Sequence, residues 1–182
     1  LDSTVTGLAH DSRQVTPGTA FIALPGTRVD GHDFAATAIE LGASLIITAR
    51  PVELPGESAI VRVENPRAVM AQLAARFHGE PAEKLHLIGI TGTNGKTTVA
   101  FIVREILRGA GHRCGLIGTV EYDLGDRVIP AARTTPESLE LHAYFAGMLR
   151  AGCETCVMEI SSHALAQHRV GGLEFQTTAF TN

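Results

Sequence analysis

One stretch of the chain combines glycine, lysine and threonine in the order of a phosphate-binding loop. Residues 89–98 are Gly-Ile-Thr-Gly-Thr-Asn-Gly-Lys-Thr-Thr. Gly92 and Gly95 would let the backbone turn with its N–H groups pointing inward, where a phosphate can accept hydrogen bonds from them. Lys96 would place a positive charge beside the β- and γ-phosphates, and the Thr97 hydroxyl could ligate Mg²⁺.

The loop departs from the general pattern at one position. The pattern has glycine six residues before the lysine, and Ile90 stands there. Gly92, four residues before the lysine, would make the turn instead, which predicts a shorter variant of the loop. The alternative is a glycine-rich turn between strand and helix that binds nothing. The run Gly-Lys-Thr-Thr at the start of a helix argues against that alternative.

A carboxylate and a hydroxyl–imidazole run follow a later apolar stretch. Residues 155–160 predict a buried strand that contains Glu159 at its end, and a carboxylate there needs a partner. We expect the partner to be the Mg²⁺ of a nucleotide, although a helix cap or a salt bridge would also satisfy the carboxylate. Ser161 and His163 suggest a nucleophilic pair, but no glycine elbow surrounds the serine, which disfavours a hydrolase.

Four more polar side chains, Thr134, Thr135, Gln167 and Arg169, form a set suited to a carboxylate or phosphate substrate. Each alone is more typical of solvated surface than of a ligand contact, and only their grouping near the loop makes a site an equal alternative. The motif Asp-Ser-Arg at 11–13 is explained equally well by a capped turn. Residues 30–33 are likewise explained by a turn and a helix N-cap.

Short β and α signals alternate in the first part of the chain and predict a small α/β unit. Residues 33–41 and 66–78 are predicted as helices, with Asn65 as N-cap of the second and Gly79 at its end. Residues 51–57 are predicted as a loop. The polar segment 80–84 predicts a boundary between a domain over 1–84 and a domain over 85–182. The predicted strands are 19–24, 44–48 and 59–63.

A longer strand–helix rhythm begins at residue 85. Residues 99–107 and 136–151 predict helices, the second with Thr135 as N-cap, and a hairpin is expected around Gly125. Strands separated by helices predict a parallel sheet covered on both faces, in which ligands bind at the carboxyl ends of the strands. The phosphate loop, the two threonines and residues 159–163 would share that edge. The predicted strands are 85–90, 113–117, 155–160 and 177–180.

The composition of the 182 residues, with 45% apolar and 19% charged residues, predicts a soluble globular protein. A net charge of −4 without a basic block argues against nucleic acid as a partner, and the apolar runs are too short to span a membrane. Cys153 and Cys156 have the spacing of half a zinc site, but buried thiols are the preferred interpretation in a reducing compartment. The chain starts at Leu1 and stops within a predicted strand, so we expect part of a longer protein.

Together these motifs resemble the Mur ligase family. Residues 91–98 resemble its ATP loop, which is also the shorter variant. Residues 133–137 (Arg-Thr-Thr-Pro-Glu), 158–165 (Met-Glu-Ile-Ser-Ser-His-Ala-Leu) and 167–170 (Gln-His-Arg-Val) resemble one branch, the UDP-N-acetylmuramoyl-tripeptide synthetases. In the first domain Asp-Ser-Arg at 11–13 and Asp-Gly at 30–31 resemble the family's uridine-nucleotide domain. The branch that adds D-Ala-D-Ala is not similar at 161–163 or 167–169.

The resemblance implies roles for individual residues. Ser12 would contact the UDP end of the substrate, and Arg133 has no assigned role because some members have asparagine there. Lys96 and Glu159 would be catalytic, with Thr97 and Glu159 on Mg²⁺. The residues implied to bind ATP are Gly92, Thr93, Asn94, Gly95, Lys96, Thr97 and Thr98. Those implied to hold the muramoyl-dipeptide part are Thr134, Thr135, Ser161, Gln167 and Arg169.

The resemblance also implies an activity for the longer protein, a monomeric cytoplasmic enzyme of peptidoglycan precursor synthesis. It would phosphorylate the D-Glu carboxylate of UDP-MurNAc-L-Ala-D-Glu with ATP, and the amine of meso-diaminopimelate or L-lysine would attack the acyl phosphate. The family's carbamylated lysine and its C-terminal amino-acid-binding domain have no counterpart in the 182 residues, which alone are expected to be inactive. Two alternatives remain, a UDP-sugar or nucleotide binding module without turnover and a regulatory P-loop ATPase.

Overall fold

A computed structural model describes residues 4–26, 29–55 and 59–182 of the chain. It divides into two compact units, residues 1–70 and 71–182. The last residues of the loop predicted over 51–57 lie outside the described residues. Both units are mixed α/β structures with parallel sheets, which confirms the predicted fold class.

The first unit contains a four-stranded parallel sheet in the order β1-β2-β3-β4. Helix α1 (Ala35–Glu40) packs Ala35 and Ala38 against Phe21 and Ile46 of this sheet. Strand β1 was not predicted because Gly-Leu-Ala has neither β-branched residues nor alternation. The strands are β1 (Gly7–Ala9), β2 (Thr19–Ile22), β3 (Leu45–Thr48) and β4 (Ile60–Arg62).

Two helix starts in this part of the chain show the effect of capping. The helix predicted from residue 33 begins later, because Asp30 caps a 3₁₀ turn over Gly31–Phe34 that precedes α1. Helix α2 (Pro66–Phe77) begins where predicted, and Asn65 Oδ1 accepts hydrogen bonds from the backbone N–H groups of Arg67 and Ala68 (both 3.1 Å).

The second unit contains a six-stranded sheet in the order β10-β5-β9-β6-β7-β8. The first four strands of that order are parallel, as predicted, and the expected hairpin forms the antiparallel pair β7 and β8 at one edge. The strands are β5 (His86–Gly92), β6 (Cys114–Ile117), β7 (Glu121–Asp123), β8 (Val128–Pro130), β9 (Thr155–Glu159) and β10 (Thr177–Thr181). The helices are α3 (Lys96–Gly109), α4 (Ser138–Arg150) and α5 (Ser162–Ala166).

Helices cover both faces of this sheet. On one face Leu87 of β5 packs in a cluster with Leu141 and Phe145 of α4. On the other face Ile88 packs in a cluster with Ala100 of α3. Neighbouring residues of one strand point to opposite faces, so a strand buried on both sides is apolar along its length. The carboxyl ends of the parallel strands therefore lie at an edge of the sheet that has helices packed on both of its faces.

Helix α4 starts later than predicted. The prediction of Thr135 as N-cap is wrong, because the helix begins at Ser138 and Glu137 is the N-cap residue. The Thr135 hydroxyl instead donates to the backbone carbonyl of Glu159 at the end of β9 (2.9 Å). The Thr135 hydroxyl therefore bonds a residue that is distant in the sequence and does not cap the helix.

Candidate active site

The phosphate loop joins the end of β5 to the start of α3. Ile90 is a fully buried strand residue, and β5 continues to Gly92, which explains why no glycine is needed at position 90. At Gly92 φ is +134°, and a Cβ atom would collide with the backbone carbonyl of Thr181. Gly95 has φ +83° and immediately precedes α3. The chain therefore turns between residues 92 and 95 in a conformation that other residues adopt only with strain.

Lys96 and the first turn of α3 give this loop its positive character. Lys96 Nζ donates to the backbone carbonyls of Gly92 (2.8 Å) and Thr93 (3.3 Å), so the ammonium group lies on the loop itself. The first N–H groups of a helix have no partner inside the helix, and Gly95 at the N-cap has no side chain to cap them. Such N–H groups and the helix dipole favour a bound phosphate.

Glu159 is the residue at which several polar groups meet. It ends β9, lies in register with Ile90 and is fully buried (0% exposed). Thr97 Oγ1 donates to Oε2 of Glu159 (2.9 Å). Thr119 donates to both carboxylate oxygens, through its N–H to Oε1 (2.9 Å) and its hydroxyl to Oε2 (3.1 Å). Gly118 allows this approach, since a Cβ there would lie 2.6 Å from Oε1.

The Glu159 carboxylate is thus held by hydroxyl and amide donors. In the part of the chain that the structure describes, no cation forms an ion pair with it, so the salt bridge considered from the sequence is not observed. A buried carboxylate oriented by two threonines is chemically suited to a hard divalent cation. Whether it binds one stays a prediction.

The two consecutive threonines lie beside this carboxylate with different partners. Thr134 Oγ1 is 3.1 Å from the hydroxyl of Thr119. Thr135 is buried, and its hydroxyl also accepts from the backbone N–H of Ser161 (3.1 Å). Thr135 therefore joins the end of β9 to the segment before α4. We refer to the following residues as the Glu159 cluster: Thr97, Thr119, Thr134, Thr135 and Glu159.

Ser161, Gln167 and Arg169 lie around the short helix α5. Ser161 is its N-cap, with Oγ accepting from the N–H of Ala164 (3.2 Å). Gln167 Oε1 accepts from Nη2 (2.6 Å) and Nε (3.1 Å) of Arg169, whose Nη1 donates to the backbone carbonyl of Thr135 (2.9 Å). The predicted substrate residues of this unit therefore form one set of contacts that includes the Glu159 cluster.

Three residues of this set were missed from the sequence. Thr119 follows the predicted strand 113–117 at the carboxyl edge, so the strand-end rule that found Glu159 could have found it. Glu137, quoted from the sequence only as the last residue of the motif 133–137, pairs with Arg133 (2.9 Å) and Arg169 (3.0 Å). Tyr122 donates its hydroxyl to the carbonyl of Arg133 (2.5 Å) and accepts from its N–H (3.1 Å). No sequence signal marks Tyr122.

Ser12 lies in the first unit, shortly after β1. It starts a 3₁₀ turn over Ser12–Gln14 that Asp11 caps by accepting from the N–H of Arg13 (3.0 Å). The Asp11 carboxylate also accepts from Arg13 Nη2 (2.6 Å), and these bonds lower the pKa of Asp11 to about 2. The capped turn considered from the sequence is therefore present, and a contact between Ser12 and a ligand stays a prediction.

A buried histidine connects two loops of the same unit. The N–H of Ala49 donates to Nε2 of His32 (3.2 Å), so the proton of the neutral ring is on Nδ1, which donates to Asp30 Oδ1 (2.5 Å). This bond is the main reason why the pKa of Asp30 is lowered to about 2. The loops after β2 and β3 are thereby held together.

The three cysteines are buried and unpaired, as preferred from the sequence. Burial raises the pKa of the Cys114 thiol to about 11 and that of Cys156 well above its ordinary value. Over residues 4–26, 29–55 and 59–182 there is no group of three His, Cys, Asp or Glu side chains able to hold a metal ion. No helix in these ranges has the length and apolar character needed to cross a membrane.

The fold, the glycine loop and the lysine at the helix start define an α/β protein with a nucleotide-binding domain of the P-loop type. Residues 90–182 match the family model of the Mur ligase middle domain, and residues 4–78 match that of the Mur ligase family catalytic domain. The chain therefore belongs to the Mur ligase family, and the resemblance found from the motifs is confirmed.

Individual relatives agree with this assignment. The chain is 50% identical over 178 residues to the UDP-N-acetylmuramoyl-L-alanyl-D-glutamate–2,6-diaminopimelate ligase of Solibacter usitatus (strain Ellin6076), covering 98% of this chain and 36% of that protein. A solved structure of a ligase with the same name has a TM-score of 0.78 at 26% identity, covering 97% of this chain and 36% of that one. A MurF ligase from Thermotoga maritima in complex with ADP has a TM-score of 0.56 at 25% identity, covering 89% and 33%. The chain spans about a third of the length of these relatives.

Proposed function

We propose that this chain forms the UDP-MurNAc-binding and ATP-binding parts of an ATP-dependent ligase. The enzyme joins 2,6-diaminopimelate to UDP-MurNAc-L-Ala-D-Glu in cytoplasmic peptidoglycan precursor synthesis. The observation that carries the proposal is the Glu159 cluster, in which Thr97 of the phosphate loop and Thr134 of the predicted substrate set meet through Glu159 and Thr119. The names of the relatives support diaminopimelate rather than lysine as the amino acid.

The residues of the phosphate loop fit a nucleoside triphosphate with Mg²⁺. ATP supplies the phosphoryl group, and the ion offsets the charge on its phosphates. Thr97 and Glu159 would hold the ion, because a hydroxyl and a buried carboxylate are oxygen donors of the kind Mg²⁺ prefers. Lys96 would move from the loop carbonyls to the phosphates and neutralise charge that develops during transfer. The MurF relative in complex with ADP supports this use of the loop.

The other half of the site would hold the acceptor. In the proposal Thr134, Ser161, Gln167 and Arg169 orient the D-Glu carboxylate toward the γ-phosphate, so that an acyl phosphate forms and the amine of diaminopimelate then displaces phosphate. Transfer between two anions needs positioning and charge neutralisation more than covalent help from the protein. Thr135 acts mainly by holding the end of β9 and the guanidinium of Arg169 in place.

The first unit would hold the uridine diphosphate end of the substrate, with Ser12 among its contacts. The family matches over 4–78 and 90–182 support a domain boundary between residues 78 and 90, and the proposal places it at residue 84. We expect the incoming amino acid to be bound by the C-terminal domain that the family resemblance implies, outside the 182 residues.

The proposal is tested by substituting Lys96 in the full-length enzyme. With Lys96→Ala we expect ligation and ADP formation to fall by roughly 100-fold or more, since a charge that stabilises the transition state is removed. The measurement is release of ADP that depends on both UDP-MurNAc-L-Ala-D-Glu and diaminopimelate.

The matched control is Lys84→Ala. Lys84 is the chain's other lysine and donates to the backbone carbonyl of Gly79 on the surface, so its removal should leave the rate within about twofold of wild type. Full ligation by Lys96→Ala would refute the proposal. Binding of both nucleotides by the wild type without ligation would favour the alternative of a binding module.

A further inference from the structure

Glu137 is a buried carboxylate whose position is not explained by helix capping. It is the N-cap residue of α4, with φ −68° and ψ 161°, yet its side chain makes no capping hydrogen bond. Only 5% of the residue is exposed. A buried carboxylate is costly unless it is paired and hydrogen-bonded. Its partners therefore indicate what it does.

Two guanidinium groups are among those partners, and they meet at one carboxylate oxygen. Arg133 Nη1 lies 2.9 Å and Arg169 Nε 3.0 Å from Glu137 Oε1. Arg133 and Arg169 thus set two guanidinium groups against the one carboxylate of Glu137. A guanidinium binds a carboxylate with defined geometry, so two of them beside a set of hydroxyl groups are suited to an anion.

The two arginines differ in how firmly they are held. The Arg169 side chain is 14% exposed and is also bonded to Gln167 and the carbonyl of Thr135. The Arg133 side chain is 47% exposed, and its guanidinium is bonded to Glu137. Its backbone is anchored separately by the Tyr122 hydroxyl. Glu137 is thus the group that brings the head of Arg133 to the side of Arg169.

We propose that Glu137 is a positioning residue of the substrate site, holding Arg133 and Arg169 side by side so that the pair receives a carboxylate of the acceptor substrate. This inference rests on the proposed function and adds to it a role for Arg133, which the family resemblance leaves without one. The carboxylate received is the one on the D-Glu residue that does not react, and binding it orients the reacting carboxylate toward the γ-phosphate. Glu137 does not touch the substrate itself.

The test uses Glu137→Gln in the full-length enzyme and measures Kd by calorimetry. The glutamine side chain keeps the shape and an acceptor oxygen but loses the charge that draws the two guanidiniums together. We expect the Kd for UDP-MurNAc-L-Ala-D-Glu to rise about tenfold, the equivalent of one charge-assisted hydrogen bond, while the Kd for ATP stays unchanged. Unchanged ATP affinity also shows that the variant is folded.

A second ligand separates positioning from a general structural effect. In this analogue the non-reacting carboxylate of D-Glu is replaced by a carboxamide. The wild type should bind the analogue more weakly than the substrate, and Glu137→Gln should discriminate between them about tenfold less. Equal discrimination by wild type and variant would overturn the inference, as would tighter substrate binding by the variant, since that would make Glu137 a repulsive neighbour.

Two variants complete the design. Glu154→Gln removes one negative charge just before β9, at the opposite edge of the sheet, and should leave every Kd within about twofold. Arg133→Ala should reproduce most of the loss seen with Glu137→Gln, and wild-type affinity in Arg133→Ala would overturn the role given to Arg133. If the wild type binds no muramoyl nucleotide at all, the proposed function fails, a result distinct from equal binding by wild type and variants.

Discussion

The phosphate loop and the Glu159 cluster adjoin each other but are built from different parts of the chain. The loop is a backbone structure, in which Gly92 and Gly95 adopt positive φ and the functional groups are N–H groups and one lysine. The cluster is a side-chain structure, in which threonine residues and a carboxylate converge from four separate segments. A backbone structure depends on the conformation of its glycine residues, whereas a side-chain structure should lose function in steps as single bonds are removed.

The largest effect is expected where the backbone leaves no room. Gly92→Ala would place a methyl group against the carbonyl of Thr181 at a φ that alanine rarely adopts. Strain of about 3 kcal/mol is expected from the two causes together and corresponds to roughly 100-fold weaker ATP binding, measured by calorimetry on the full-length enzyme.

The control for Gly92→Ala is Gly109→Ala. Gly109 lies in the last turn of α3, and an added Cβ there would meet nothing within 4 Å. ATP affinity should be unchanged and the melting temperature equal to or above that of wild type, because alanine favours a helix more than glycine does. Comparable ATP binding by both variants would contradict the view that the loop depends on its backbone conformation.

A smaller effect is expected in the Glu159 cluster. Thr119→Val keeps the shape and the backbone N–H bond to Glu159 Oε1 but removes the hydroxyl that bonds Oε2. A hydrogen bond to a charged group contributes about 1.5 kcal/mol, so kcat should fall about tenfold with little change in the Kd for ATP.

Thr119→Ser separates the hydroxyl from the rest of the side chain. It keeps the bond to Oε2 and should restore kcat to within about twofold of wild type. Equal rates in Thr119→Val and Thr119→Ser would show that the hydroxyl is dispensable and that the Thr119 N–H alone orients the carboxylate.

The same contrast explains what could be predicted from the sequence. The phosphate loop is contiguous, so its residue types, spacing and flanking strand and helix were visible without a structure. Strands such as 155–160 were also predictable, because an apolar run bounded by glycine and polar residues is a local signal. The start of α4 was not, since Thr135 is a good N-cap by local preference and only its contact with the Glu159 carbonyl shows otherwise.

The parts of the site that were missed depend on contacts between distant residues. Glu137 and Arg169 are far apart in the sequence, and only the folded chain brings the guanidinium of Arg169 to a carboxylate oxygen of Glu137. Tyr122 reaches Arg133 because β7 pairs with β6 in an antiparallel hairpin whose register the sequence does not show. Residue types at strand ends therefore identify the edge of a site, whereas the partners of each side chain require the fold.

The smallest effect concerns a buried polar group outside both structures. His142, one turn into α4 from Ser138, is 3% exposed, and within the described residues its Nδ1 has no hydrogen-bond partner. Its ring packs against Phe145 with a centroid distance of 5.9 Å. The pKa of His142 is therefore lowered to about 4, mainly by burial and additionally by the charge of nearby His78.

This lowered pKa predicts a dependence of stability on pH. Between about pH 6.5 and 4, His142 is protonated in the unfolded chain but not in the folded chain. The free energy of unfolding is therefore highest well above pH 6.5 and falls as the pH is lowered toward 4. Between about pH 7 and about pH 5.5 the loss due to His142 should be about 1 kcal/mol, and this part should be absent in His142→Leu, as measured by urea unfolding at both pH values. A dependence of the same sign should remain in the variant, because burial also lowers the pKa of His78. The comparison at about pH 7, where the ring is neutral in the folded protein, reports the packing cost of the substitution alone.

Asp11 and Asp30 do not contribute in this range, because their lowered pKa values affect stability only as the pH falls below about 4. An equal pH dependence in wild type and His142→Leu would mean that the folded protein accommodates the charged ring. The contrast with the hydrogen-bonded Glu159 cluster would then fail, because burial of a polar group without a partner in α4 would cost little.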